Sequence, residues 1–195
     1  MMIQEQGPAA VTVPSRLAGF SLYENAIHNV LIQYPSIWNK QEMLLNNGHT
    51  GIEVMFVVPI AARFSKAEAS ETILGKIRDI MYNQSSTMVV LSLKRLPAHE
   101  TLQAVTNDHI HTLQICFDNV NLLETSYDHN MAEIPASKLI YSYTDPLQNH
   151  LKKEGMQIIS VTNHKEISIT YSQTQDFDRF LPTVNRMIDT FSIEV

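Results

Sequence analysis

The sequence has a single cysteine, Cys116, among 195 residues. A disulfide within the chain is therefore excluded, and so is a zinc site built from several cysteines. Glycine is scarce as well, with six in all. None of the six lies in a phosphate-cradling loop or a dinucleotide fingerprint. No Gly-x-Ser-x-Gly elbow occurs, and no His-Glu-x-x-His pair, so two common hydrolase signatures are missing. No apolar run is long enough to span a bilayer. The N-terminal stretch MMIQEQGPAAVTVPSRLAGF lacks the basic and apolar regions of a secretory signal, which makes a cytoplasmic location the default expectation. Basic residues are in deficit: 14 Lys and Arg stand against 20 Asp and Glu, for a net charge of −6. That balance argues against nucleic acid as a partner, because phosphate contacts need clustered cations.

A hydrophobic fraction of 44% is present, enough for an ordinary core. The length fits one domain. Residues 1–16 have no periodicity and read as a flexible arm, leaving 17–195 as the folded unit. GFSLYE and NVLIQYP read as strands joined through residues 24–28. In the second, Val30, Ile32 and Tyr34 share a face. Pro35 has no amide to donate and holds its predecessor extended, so it should end the pairing. The turn PSIW would then carry Trp38, the chain's one tryptophan, back onto the sheet. In GIEVMFVVP the residues Ile52, Val54, Phe56 and Val58 alternate with their neighbours, after the turn signal NNGHTG.

Residues 60–87 have helical spacing instead. Ser65 and Glu68 form a capping-box pattern, and Ile73, Ile77, Ile80 and Met81 recur as on one helix face, predicting a helix over Lys66–Tyr82. MVVLSLKRL is the next strand. ETLQAVTNDHIHTLQICF is a second helix, with Leu102, Val105, His109, Ile110, Leu113 and Phe117 in one stripe. VNLLETSY and ASKLIYSYT read as strands joined by a loop through DHNMAEIP. GMQIISVT and KEISITYS form a hairpin around Asn163 and His164. A last helix carries Phe177, Phe180, Leu181, Val184, Met187, Ile188 and Phe191; its Pro182 is expected in the first turn of the main segment, where a missing amide is tolerated. The total is about eight hairpin-connected strands with two or three covering helices. The predicted fold class is α+β, a sandwich built on a mostly antiparallel sheet.

The run Tyr23-Glu24-Asn25 followed by VLIQYPSIWNK resembles the start of the PsbP-like family, relatives of an extrinsic protein of the oxygen-evolving complex of photosystem II. GIEVMFVVP, VVLSLKRLP with ETLQAVTNDHI, EIPASKLIYSYT, and ISITYSQTQDFDRFLPTVNRMIDTFSI resemble later family segments in the same order. The resemblance covers roughly Phe20 to Val195. It implies an α/β/α sandwich around a central antiparallel sheet, a fold shared with a Ran-binding nuclear import factor. It also implies a surface-binding role without a common catalytic set. The helix near 60–87 departs from the family as an insertion, and the N-terminal arm does not match a plant transit peptide.

Candidate chemistry centres on eight histidines. His109 and His111 stand about 200° apart on a helix and cannot grip one ion together. His109 falls on the apolar stripe and reads as a core or boundary residue. Asp108 and His111, three apart, share a face and could supply two ligands or form a solvated ion pair. His129, in the expected loop YDHN, is a further candidate ligand. The photosystem member of the family is associated with manganese and calcium, so the resemblance favours this slightly. Asp108, His111 and His129 are thus the candidate binding residues, with no catalytic residue among them. Trp38 reads as a core plug and Cys116 as a buried, inert thiol. The expected function is a non-enzymatic, cofactor-free module, a monomer that binds a protein partner. The alternative is a protein that binds Mn, Ca, Zn or a small ligand through His111, His129, His150, His164 and carboxylates.

Overall fold

The corner at Pro35–Trp38 organises the molecule. In the computed structural model, which describes residues 15–45, 51–59, 87–146, 150–173 and 177–193, β1 (Phe20–Asn25) and β2 (Val30–Pro35) pair antiparallel from Phe20↔Pro35 to Asn25↔Val30. Trp38 N then donates to Pro35 O at 2.9 Å, closing a turn. The chain leaves it as β3 (Asn39–Leu45), which belongs to a different sheet. Proline thus ends one sheet and the turn feeds the next. Trp38 is 5% exposed, and its ring meets Phe180 edge-on at 6.2 Å.

The larger sheet has seven strands in the order β3-β4-β5-β9-β8-β7-β6, all antiparallel. Its members are β3, β4 (Gly51–Val57), β5 (Met88–Arg95), β6 (Asp118–Met131), β7 (Ile134–Asp145), β8 (Leu151–Thr162) and β9 (Lys165–Gln173). The smaller sheet has the order β1-β2-β10, with β10 at Ser192–Ile193. Two helices are seen among the described residues, α1 (Leu102–Cys116) and α2 (Phe177–Asp189). The expected helix over Lys66–Tyr82 and the first fourteen residues lie outside the described residues. Ser15 and Leu17 are held by Gln33, whose side-chain amide donates to Ser15 O and accepts from Leu17 N.

Alternation sends successive side chains to opposite faces. On one face Ile52, Val54, Phe56, Val89, Leu91, Leu93, Ile167, Ile169 and Tyr171 pack against Tyr23, Val30 and Ile32 of the small sheet and Val184, Met187 and Ile188 of α2. On the other, Leu139, Tyr141, Tyr143 and Ile159 pack against Val105 and Leu113 of α1. The seven-stranded sheet is therefore the middle layer, as expected for an α/β/α arrangement.

Thr101 caps α1 by accepting from Ala104 N at 3.1 Å. Thr106 ties the helix to β7 through a buried contact with Ser137 Oγ at 2.7 Å. Tyr171 OH donates to Phe177 O at 2.8 Å, fixing the start of α2. Thr190 Oγ1 accepts from Gln33 N at 3.0 Å, fixing its end.

Four expectations differ from the structure. Ten strands form among the described residues where about eight were expected, because β3 and β10 carry weak signals: Asn39, Lys40, Gln41 and Glu42 are polar edge residues, and β10 is two residues long. Pro182 lies inside α2, five residues after its start, rather than at a first turn. The carbonyl it leaves without a helical partner is that of Asp178, which is exposed. The loop expected through DHNMAEIP is a two-residue turn at Ala132 and Glu133, and β6 continues to Met131. Finally, Cys116 is exposed at the end of α1, since the apolar stripe that buries Leu113 passes it by.

Candidate functional site

The residues singled out by sequence are not brought together. Asp108 and His111 lie on α1, both exposed, and no salt bridge joins them. His129 is half-buried in β6 opposite Ala136, in a strand and not a loop. Among the described residues no three of His, Cys, Asp and Glu form a group able to hold a metal ion. His150 lies 3.6 Å from Asp118 on the surface.

His109 does have a specific partner. Its Nε2 lies 2.8 Å from Glu166 Oε1, and Lys94 Nζ lies 2.9 Å from Oε2. Glu166 is 3% exposed, under α1 on β9. Burial by itself raises its carboxyl pKa. The hydrogen bonds and charges of His109 and Lys94 outweigh that, and the net direction is downward. An ionised carboxylate only accepts, so His109 Nε2 carries the proton. The arrangement clamps α1 onto the β5–β9 ladder. With the carboxylate buried and both of its oxygens engaged, the arrangement reads as a structural ion network. Spacing alone could not reveal it, because the three residues come together only through strand register and helix docking.

A different kind of site lies at the rim of the large sheet. Among the described residues, strand β6 is last in the strand order and pairs only with β7. Over its fourteen residues nearly every side chain is open to solvent. Leu122, Leu123 (54% exposed) and Tyr127 stand out on it, and Ile115 (70% exposed) projects from the end of α1 just before it begins. Register shifts interrupt the pairing at Asp118/Asn121, Leu122/Glu124 and Ser126/His129. Such irregularities break the row of free backbone groups that makes an edge sticky. The apolar side chains remain. Exposed apolar side chains along a rim strand that also carries Asp118, Glu124 and Asp128 have the make-up of a protein contact surface.

No protein-family model matches the sequence, and no curated protein is similar to it in sequence. The fold, however, has solved counterparts. Cyanobacterial PsbP (CyanoP) from Synechocystis superposes with a TM-score of 0.57 at 13% identity, covering 96% of this chain and 100% of that one. The Saccharomyces cerevisiae Ran-binding protein Mog1p superposes with a TM-score of 0.54 at 7% identity, covering 89% and 95%. A Pseudomonas aeruginosa protein of unknown function, described as a putative regulator, gives 0.50 at 12% identity, covering 86% and 92%. The chain therefore has the PsbP-like fold, as the opening motif and the later segments implied. At these identities the likeness is one of fold. No helix among the described residues is long and apolar enough to cross a membrane.

Proposed function

We propose that this chain is a non-enzymatic binding module that engages a partner protein through the outer surface of β6. The single observation that carries this reading is the open strand β6, with Leu122, Leu123 and Tyr127 exposed at the end of the seven-stranded sheet. The three register shifts disfavour a long added strand, so recognition falls to these side chains. The acids Asp118, Glu124 and Asp128 on the same strand, of which Glu124 is paired with Lys138 at 3.0 Å, favour a partner with an apolar centre and a basic rim. That one fold neighbour is a Ran-binding protein supports a protein-binding role for this scaffold.

The test places a photo-crosslinking residue at Leu123 and, as control, at exposed Gln103 on α1, in cells of the source organism. A discrete heterologous adduct from position 123 alone, lost when Tyr127→Lys is added, is the expected result. Equal adducts from both positions, adducts only between copies of the chain, or none at position 123 would overturn the reading.

A further inference from the structure

The last rungs of the β5–β9 ladder are Lys94↔Glu166 and Arg95↔Lys165. The first pair faces α1 and is satisfied: the Lys94 ammonium is taken by Glu166. The second pair faces the other way and sets two cations directly opposite each other, an arrangement that destabilises a ladder. Among the described residues no carboxylate forms a salt bridge with Arg95 or Lys165. In a chain of net charge −6, this is a local reversal of sign.

The β1–β2 turn lies beside that pair. Asn25 Oδ1 accepts from the amides of Ile27 and His28, each at 3.1 Å, and Asn29 adopts φ 54°, so the turn is held in one shape. Ile27, His28, Leu93, Lys94, Arg95 and Lys165 line a cleft of about 300 Å³. That is the low end of the range for small-molecule sites. Ile27 is 86% exposed at its mouth. Burial first, then the charge of Lys165, push the His28 pKa down, against a weaker opposing pull from Glu42. His28 is thus neutral near pH 7, able to donate from one ring nitrogen and accept at the other.

We infer that this cleft binds a small organic oxyanion, its phosphate or carboxylate group engaging Arg95 and Lys165 and its apolar part lying against Ile27. The anion relieves the like-charge pair and supplies the counter-charge that the described residues withhold. The site is separate from β6 and does not depend on the protein-binding reading.

The test is a titration of the full chain, followed by two-dimensional amide NMR, with glycerol 3-phosphate and with butyrate at constant ionic strength. Saturable shifts confined to Ile27, His28, Arg95 and Lys165 are expected for at least one of the two. The His28 imidazole should then titrate at higher pH in the complex than in the free protein. Which compound saturates identifies the preferred head group, and saturation by both marks a general oxyanion site. Arg95→Gln with Lys165→Gln should weaken binding tenfold or more while the other amide signals stay in place, and Arg179→Gln should leave it unchanged. Absence of saturation with both compounds overturns the inference. So does binding that persists in the double variant or that the Arg179→Gln control weakens equally.

Discussion

The Tyr141 ring lies across Gly155, its direct partner on the neighbouring strand β8. A Cβ placed on Gly155 would stand 2.6 Å from the ring's Cζ, well inside contact distance. The glycine is therefore required by the close approach of the ring, which fills the space of the missing side chain and joins Tyr143 and Leu139 under α1. Gly155→Ala should lower stability by about 1–3 kcal/mol, the usual cost of overpacking. In a Tyr141→Leu background the same substitution should cost far less. A double-mutant cycle by urea denaturation measures the difference, and simple additivity would show that the ring is not the reason for the glycine.

Trp38 gives a second prediction. It is buried at the corner between the two sheets and touches Phe180 of α2. As the only tryptophan it reports on that corner by itself. Its emission should be blue-shifted in the native protein and move to longer wavelength on unfolding. Trp38→Ala should cost about 3–5 kcal/mol, as for other large aromatic truncations. Native emission near that of free tryptophan would contradict the packing.

The Glu166 network predicts an acid dependence. Its carboxyl pKa is depressed in the folded chain relative to an ordinary 4.5. The folded state therefore holds this proton less tightly than the unfolded one. The stabilisation is fully present above about pH 4.5 and is lost as pH falls through the lower folded value. Glu166→Gln should reduce stability at pH 7 by about 2–3 kcal/mol, less than a fully enclosed pair because Lys94 keeps access to water. It should also flatten the decline between pH 5 and pH 3 in the usual carboxylate range. An unchanged pH profile in the variant would remove Glu166 from the acid response.

Much of the fold is legible in the residues because the apolar phase of each strand points one way. Ile52, Val54 and Phe56, then Val89, Leu91 and Leu93, then Ile167, Ile169 and Tyr171 all face the same core, as their alternation says. What alternation conceals is that the second face is covered too. Ser137, Gln157, Glu166 and Ser168 occupy the polar phase and are nonetheless buried. A polar residue in that phase looks solvated until α1 is placed above it, so Glu166 carried no signal while His109, on an apolar stripe, carried half of one. Asp108, His111 and His129 are candidate ligands by residue type alone, and type says nothing about convergence. The open surface of β6 was hidden for a related reason. Leu122, Leu123 and Tyr127 read as core until the strand order puts β6 at the rim.

The β6–β7 turn supplies the last prediction. Ala132 and Glu133 have φ of 52° and 64°, the double left-handed geometry of a two-residue hairpin turn, for which Asn-Gly is the preferred pair. Alanine and glutamate are poor choices there, since each side chain crowds its carbonyl at about 1–2 kcal/mol per residue. This also explains why the segment reads as a wider loop: Asp128 and Asn130 are the turn formers by type, while the real turn sits on two residues that favour helix. Replacing Ala132→Asn and Glu133→Gly together should relieve the crowding. Part of that gain is offset by the extra freedom glycine gives the unfolded chain, and by the packing Ala132 makes against the core. A net rise of about 1 kcal/mol follows, read as a Tm increase of about 2–4 °C for a chain of this size. The hairpin register from Met131↔Ile134 to His129↔Ala136 should be unchanged, which cross-strand NMR contacts would verify. A loss of stability with intact register would mean that the Ala132 methyl contributes more through its packing than the backbone costs.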